Sequence, residues 1–267
     1  MKNLQALCSS VMVIAREAGH FIKLQRATFS NEKVEYKGTN DLVSYVDKSA
    51  EQMLVDRLKV ISDQVGFITE ENTAGSNNQE WHWIIDPLDG TTNFVHGIPC
   101  YCVSVALAHH QEVVMGVIYE INLDECFYAW EGGGAWLNGK PIHVSDVNQL
   151  SKALIATGFP YTDYSRMKEY MDVFDYCMHH THGLRRLGSA AVDMAYVACG
   201  RLEAFYEYGL NSWDIAAGCC IVKEAGGMVT DFSGGNNFLN GREIISSNSG
   251  CHFEFLKIVK EKFKTTR

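Results

Sequence analysis

Proline is scarce in this sequence, with four in 267 residues. No low-complexity stretch or internal repeat interrupts the chain, so a second domain on a linker is not expected. No uncharged apolar run reaches the ~18 residues of a membrane span, and no membrane partner is expected. Basic charge is also short. Lys and Arg total 23 against 32 Asp and Glu, a net charge of −9, so the chain lacks the field that nonspecific phosphate-backbone binding requires. Direct nucleic-acid binding is therefore not expected. The nine cysteines are odd in number and scattered, with Cys219 and Cys220 adjacent. They fit neither a secreted disulfide framework nor a spaced zinc site, and reduced thiols in a cytoplasm are the expectation.

What is present is a chain 46% hydrophobic, enough for a sizeable core in a single unit whose halves, approximately 1–148 and 149–267, share that core. At the N-terminus Leu4, Leu7, Val11, Ile14, Ala18 and Phe21 recur at steps of three and four, with Arg16 and Glu17 between them. That is the stripe of an amphipathic helix rather than a signal peptide. A turn at 36–41 and a helix near 44–61 follow, then strands at "VGFIT", "HWIID", "YCVSVALAHH" and "VVMGVIYE". "CFYAWEGGGAWLNGKPIHVS" alternates apolar and polar residues on both sides of a glycine turn, as a hairpin does. In the second half "SKALIATG", "LEAFYE", "GMVTDF" and "EIISSN" read as strands. "YSRMKEYMDVFDYCMHH", "SAAVDMAYVACG", "DIAAGCCIVKEAGG" and the C-terminal stretch read as helices. The order implies helices layered on sheets.

The chemically informative stretch is "WIIDPLDGTTNF", residues 83–94. Asp86 ends a buried strand, Pro87 biases it toward an extended backbone, and Gly90 permits a sharp turn. Strand ends in layered α/β proteins are where ligands bind. "TTNF" then starts a helix, leaving backbone N–H groups and the Thr91 hydroxyl for an anion. Two carboxylates a few ångströms apart repel by about 4 kcal/mol at an effective dielectric near 20, and a phosphate would add to that. A cation resolves the conflict. Hard oxygen ligands select Mg²⁺ or a similar ion, and a pair of such ions is the usual device for phosphate-ester hydrolysis. In "FITEEN" one of Glu70 and Glu71 can reach the same site while the other faces away. Asp214, after Trp213, opens a helix, and taken alone it would be an N-cap.

Together "DPLDGTTNF", "TEEN" and "WDIAAG" resemble the signatures of the inositol monophosphatase family. The resemblance covers nearly the whole chain, through "DLVSYVD", "GAWLNGKPIHVS", "GSAAVDMA", "EAFYE" and "EAGG" in the family's order. It implies a layered αβαβα sandwich of the sugar-phosphatase type, an α+β or α/β architecture, acting as a single catalytic unit. It implies Mg²⁺, two or three ions, held by Glu70, Asp86, the Leu88 carbonyl, Asp89 and Asp214. Gly90 and Thr91 would bind the phosphate through backbone N–H groups, and the Thr91 hydroxyl, with Glu70 and Asp47, would orient the attacking water. Asp89, Gly188, Ser189, Ala190 and Glu207 would meet substrate hydroxyls, with Asp214 reaching the substrate as well. The expected reaction is hydrolysis of myo-inositol monophosphate or related sugar and polyol monophosphates, with sensitivity to Li⁺ and a homodimer. Alternatives are a phosphatase for nucleotide 3′-phosphates or fructose 1,6-bisphosphate, and a transcription-complex binding protein that retains phosphatase activity.

Two positions depart from the family pattern. Thr69 stands where a glycine commonly precedes the Glu-Glu pair, and "LNS" precedes Trp213. Three further features read as structural. His179, His180 and His182 cluster at a helix end without a Cys pattern, as a solvated turn does. "GGGAW" lacks the Lys-Ser/Thr of a phosphate loop. Lys37 is either a loop residue near the metals or a solvated charge.

Overall fold

The computed structural model describes residues 3–29, 34–36, 42–74, 79–161 and 163–263. Lys37 and most of the expected 36–41 turn lie outside them. Helix α1 (Leu4–Ala27) is capped by Asn3, whose side chain accepts from the Ala6 N–H at 3.0 Å. Its stripe buries Val11, Ile14 and Ala18 together with Cys8, Ala15 and Ile22. A short antiparallel pair, β1 (Val34–Tyr36) and β2 (Leu42–Ser44), leads into α2 (Tyr45–Ile61).

A seven-stranded sheet follows, in the order β3 (Gly66–Thr69), β4 (Trp81–Asp89), β5 (Cys102–His109), β6 (Glu112–Glu120), β7 (Glu125–Trp130), β8 (Ala135–Leu137) and β9 (Lys140–Ile142). Only β3 and β4 run parallel; the remaining pairs are antiparallel. The stretch expected to form one hairpin forms two, because Asn138 and Gly139, at φ 48° and 81°, make a second tight turn after the glycine turn. Helix α3 (Thr91–His96) leaves the end of β4.

The second sheet has the order β11-β10-β12-β14-β13, from β10 (Leu154–Thr157), β11 (Gly183–Arg185), β12 (Ala204–Tyr208), β13 (Met228–Thr230) and β14 (Glu243–Ser247). Between and around these strands lie α4 (Met167–His180), α5 (Ala190–Ala198), α6 (Ser212–Glu224), α7 (Phe238–Gly241) and α8 (His252–Phe263). Strand β11 and helix α7 escape the sequence reading. Each is short, three and four residues, too short for a period to register.

Five layers result. Helices α1 and α2 cover one face of the first sheet, α5 and α6 fill the space between the sheets, and α4 and α8 cover the far face of the second. This is the αβαβα sandwich. The middle helices touch a sheet on each side, which explains why they carry small apolar residues all round: Ala190, Ala191, Ala195 and Ala198 in α5, and Ala216, Ala217, Cys219 and Cys220 in α6 are all buried. No helix among the described residues is long and apolar enough to cross a membrane.

Helix α6 approaches the first sheet closely at Gly116 of β6. A Cβ built there would lie 2.4 Å from the Ala217 carbonyl oxygen and 2.9 Å from its Cα. Gly116→Ala is therefore expected to overpack this contact, costing about 1–3 kcal/mol and lowering the melting temperature by several degrees in scanning calorimetry. An unchanged melting temperature would mean the two backbones do not meet as described.

Candidate active site

Residues three apart on a regular strand face opposite ways, so Asp86 and Asp89 converge only if the strand breaks register. It does. Asp86 pairs with Ser104 but Asp89 with Cys102, so one extra residue is taken up in β4 between them. Pro87, which has no N–H to give a ladder, sits in this bulge. The strand thus runs on to Asp89 instead of ending at Asp86 as the sequence suggested. The Leu88 N–H turns back to Asp86 Oδ1 at 3.0 Å. Gly90 then makes the turn into α3 at φ 97°, where a Cβ would lie 2.9 Å from the Cys100 carbonyl.

The bulge opens on a cleft of about 180 Å³. Glu70, Asp86, Leu88, Asp89, Gly90, Thr91, Gly188, Ser189, Ala190, Glu207 and Asp214 all line it. Asp47 does not. It is 1% exposed and stands behind Thr91, whose hydroxyl lies 2.9 Å from both Asp47 Oδ1 and the Leu88 carbonyl. Glu71 is absent from the wall; its N–H is held by Glu51.

Two of the carboxylates share a design. Asp47 and Asp214 each occupy the third position of a helix and bind the N-cap backbone: Ser44 N–H to Asp47 Oδ2 at 2.8 Å, and Asn211 N–H to Asp214 Oδ2 at 2.7 Å. Asp214 is thus not itself the N-cap. Asp89 is tied at Oδ2 by the Ser189 hydroxyl at 2.6 Å and the Ala191 N–H at 2.7 Å. The one proton of Ser189 Oγ goes to Asp89, leaving that hydroxyl only an acceptor toward any ligand.

Three positioning residues escaped the sequence reading. Glu51, fully buried, accepts from the Glu71 N–H at 2.7 Å and the Thr73 N–H at 2.9 Å, fixing the turn that carries Glu70. Its signal was available, since it follows Asp47 by one helical turn on the buried face of α2. Asn93 donates to Cys100 O at 2.7 Å and to Leu187 O at 2.8 Å, pinning the loop before Gly188 to the first half. Arg186, also on the cleft wall, donates to the Tyr161 hydroxyl and lies over Phe159 at 5.3 Å.

Six carboxylates, Glu70, Asp86, Asp89, Asp193, Glu207 and Asp214, line the cleft against two guanidinium groups, Arg186 and Arg242. Burial, then Glu70, Asp89 and Asp214, push the Asp86 carboxyl well above its usual range. Asp214 is pushed up to about 7 by burial and Asp89, and burial raises Asp89. Arg242 is spent on the carbonyls of Gly209 and Leu210. The donor set is hard oxygen throughout, with charge unbalanced toward the negative, and it fits Mg²⁺. A second potential metal-binding group, Glu80, His109 and His110, lies at the other end of β4 and β5. Nδ1 of His179 and of His180 turns back to the α4 backbone, 2.9 Å from Asp175 O and 2.8 Å from Tyr176 O.

The inositol monophosphatase family model matches residues 3–263, and the chain belongs to that family. It is 38% identical over 257 residues to the inositol-1-monophosphatase of Mesorhizobium japonicum, covering 96% of this chain and 97% of that one. It is 36% identical over 266 residues to the Nus factor SuhB of Pseudomonas aeruginosa, covering 96% and 97%. The crystal structure of the extragenic suppressor protein suhB from Bartonella henselae superposes with a TM-score of 0.91 at 36% identity, covering 96% and 99%.

Because the folded pKa of Asp214 lies above its unfolded value of about 4, its contribution to stability is full below pH ~4 and is lost as pH rises through about 7. Asp214→Asn keeps an oxygen for the Asn211 N–H and removes the charge. In EDTA its melting temperature is expected to gain on the wild type steadily across that window. A gap that stays flat with pH would show that Asp214 feels no repulsion.

Proposed function

We propose that the protein is a Mg²⁺-dependent phosphomonoesterase that hydrolyses myo-inositol monophosphate and related sugar or polyol monophosphates. The observation that carries this reading is the convergence of Glu70, Asp86, Asp89 and Asp214 on one cleft beside the Thr91–Asp47 hydroxyl pair. The ions, held by those four carboxylates and the Leu88 carbonyl, would offset the negative charge and acidify the attacking water. The halves 1–148 and 149–267 act as one catalytic unit in this reading, because Asp214 comes from the second.

The chain's own groups then have separable tasks. Backbone N–H groups of Gly90 and Thr91 hold the phosphate. Thr91 donates its single proton to Asp47 Oδ1 or the Leu88 carbonyl, so its lone pair accepts from the water and aims it at phosphorus. Asp47, being buried, acts only through Thr91. Glu70 takes the second hydrogen bond of the water and is placed to receive its proton. The water oxygen bonds to phosphorus as the ester oxygen leaves in line, and the leaving alkoxide is protonated from solvent. Glu207 and Asp89 face the hydroxyls of the leaving group.

Asp86→Asn is expected to lower kcat by about a thousandfold or more, roughly 4 kcal/mol of barrier, and EDTA should abolish wild-type turnover reversibly. Near-normal phosphate release from the purified variant at saturating Mg²⁺ would remove Asp86 from the cage. Thr91→Ala should reduce kcat more than it raises KM, since orienting water counts in the transition state; an unaltered kcat would exclude the hydroxyl from the chemistry. A panel of inositol phosphate, sugar phosphates, nucleotide 3′-phosphate and fructose 1,6-bisphosphate ranks the substrates.

Relatives named Nus factor SuhB favour a second reading, attachment to a transcription complex through a protein partner. The two are compatible, and a pull-down with Asp86→Asn separates partner binding from turnover. Membership of the family also supports a homodimer, to be measured by light scattering.

A further inference from the structure

Asp193 lies in the first turn of α5, its N–H bonded to the Ser189 carbonyl at 3.0 Å. It is 1% exposed and on the wall of the cleft, and its Oδ1 has no hydrogen-bond partner. Arg186 lines the same cleft, and its buried Nε–H is likewise without a partner. Buried polar atoms are almost always paired. An open acceptor and an open donor in one cleft are therefore arranged for what the cleft takes up.

The chemistry of that occupant is restricted. A phosphate is repelled by a carboxylate, and an apolar group satisfies neither atom. A hydroxyl donates to a carboxylate oxygen and accepts from an N–H. A third group on this wall points the same way. Glu207 packs against Gly158 so closely that a Cβ there would fall 2.0 Å from Glu207 Oε2. Burial and Asp193 hold Glu207 well above its usual range, so the two acidic side chains are close enough to repel. Hydrogen-bond donors from a ligand relieve both.

We infer that Asp193 is a specificity-determining residue whose Oδ1 accepts a hydrogen bond from a hydroxyl of the substrate's leaving group, with Arg186 Nε–H donating to the same or a neighbouring hydroxyl. This rests on the phosphomonoesterase reading and deepens it: the preferred substrate is a monophosphate whose alcohol carries further hydroxyls, as a cyclitol or sugar does.

The test is calorimetric binding of a non-hydrolysable phosphonate analogue of myo-inositol 1-phosphate, beside inorganic phosphate, to the Mg²⁺-loaded protein. Asp193→Asn, which is isosteric, should weaken the phosphonate about tenfold more than it weakens inorganic phosphate. Equal weakening of both, or of neither, overturns the inference. A ligand-side series covers the case in which the variant does not fold. Against the wild type, one monodeoxy phosphonate should bind about tenfold worse than the parent, and a wild type indifferent to the loss of every hydroxyl also overturns it. Turnover of the phosphate ester is scored separately: a protein that binds the phosphonate through its hydroxyls yet releases no phosphate sinks the phosphatase reading and leaves the hydroxyl recognition standing.

Discussion

Electrostatic repulsion among buried carboxylates is the constraint around which the molecule is arranged. Asp86 and Asp214 are raised above their ordinary range by burial and by acidic neighbours, and Asp89 by burial, so bringing them together costs folding free energy that local structure has to offset. The offset is consistent from one residue to the next. Each carboxylate has one oxygen tied by a backbone N–H: Asp86 by Leu88, Asp214 by Asn211 and, behind them, Asp47 by Ser44, all within three residues, and Asp89 by Ala191 from the second half of the chain. Capping boxes and a strand bulge therefore do double duty. They complete helices α2 and α6 and end β4, and they fix the direction in which the remaining oxygens point.

The five layers follow from the same requirement. A cage fed from one sheet alone would leave its far side to water. Here α6 lies between the sheets and brings Asp214 to the end of β4, held close by the Gly116–Ala217 contact and by the Ser104 hydroxyl reaching Trp213 O at 3.5 Å. Asn93 ties the loop before Gly188 to the first half. The site is thus a seam between the two sheets, and its precision depends on small residues in the middle layer that let backbones approach.

Much of this was legible in the sequence, and what was not has identifiable causes. Helix α1 was read from its apolar stripe, and β4, β5 and β6 from their apolar runs, because periodicity and burial agree there. The convergence of Glu70, Asp86, Asp89 and Asp214 on one cleft was expected because three acidic segments, two at the ends of apolar strands and one at a helix start, occur together. The bulge was not readable. The sequence ends its apolar run at Asp86, with Pro87 read only as biasing that aspartate toward an extended backbone, whereas the strand absorbs the proline and continues to Asp89. Asn93 and Arg186 were missed for another reason: each works through a partner distant in the chain, Asn93 and Leu187 being 94 residues apart, and a single sequence carries no trace of such a contact, whereas Glu51 left a signal in its spacing from Asp47. Asp193 was passed over as one letter in an apolar helix.

The last connection is mechanical. Ser189 caps α5, with its Oγ accepting from the Val192 N–H at 3.3 Å, and the same hydroxyl donates to Asp89. The first turn of α5 is therefore bonded to a carboxylate of the cage at its N-cap and carries Asp193 on the cleft wall one turn later. Ser189, which binds Asp89, and Asp193, on the cleft wall, thus sit on one short element. On the proposed phosphomonoesterase reading, binding energy gathered from the leaving alcohol is spent on orienting the phosphate against the water, through the Ser189 bonds to Asp89 and Val192 that are already present.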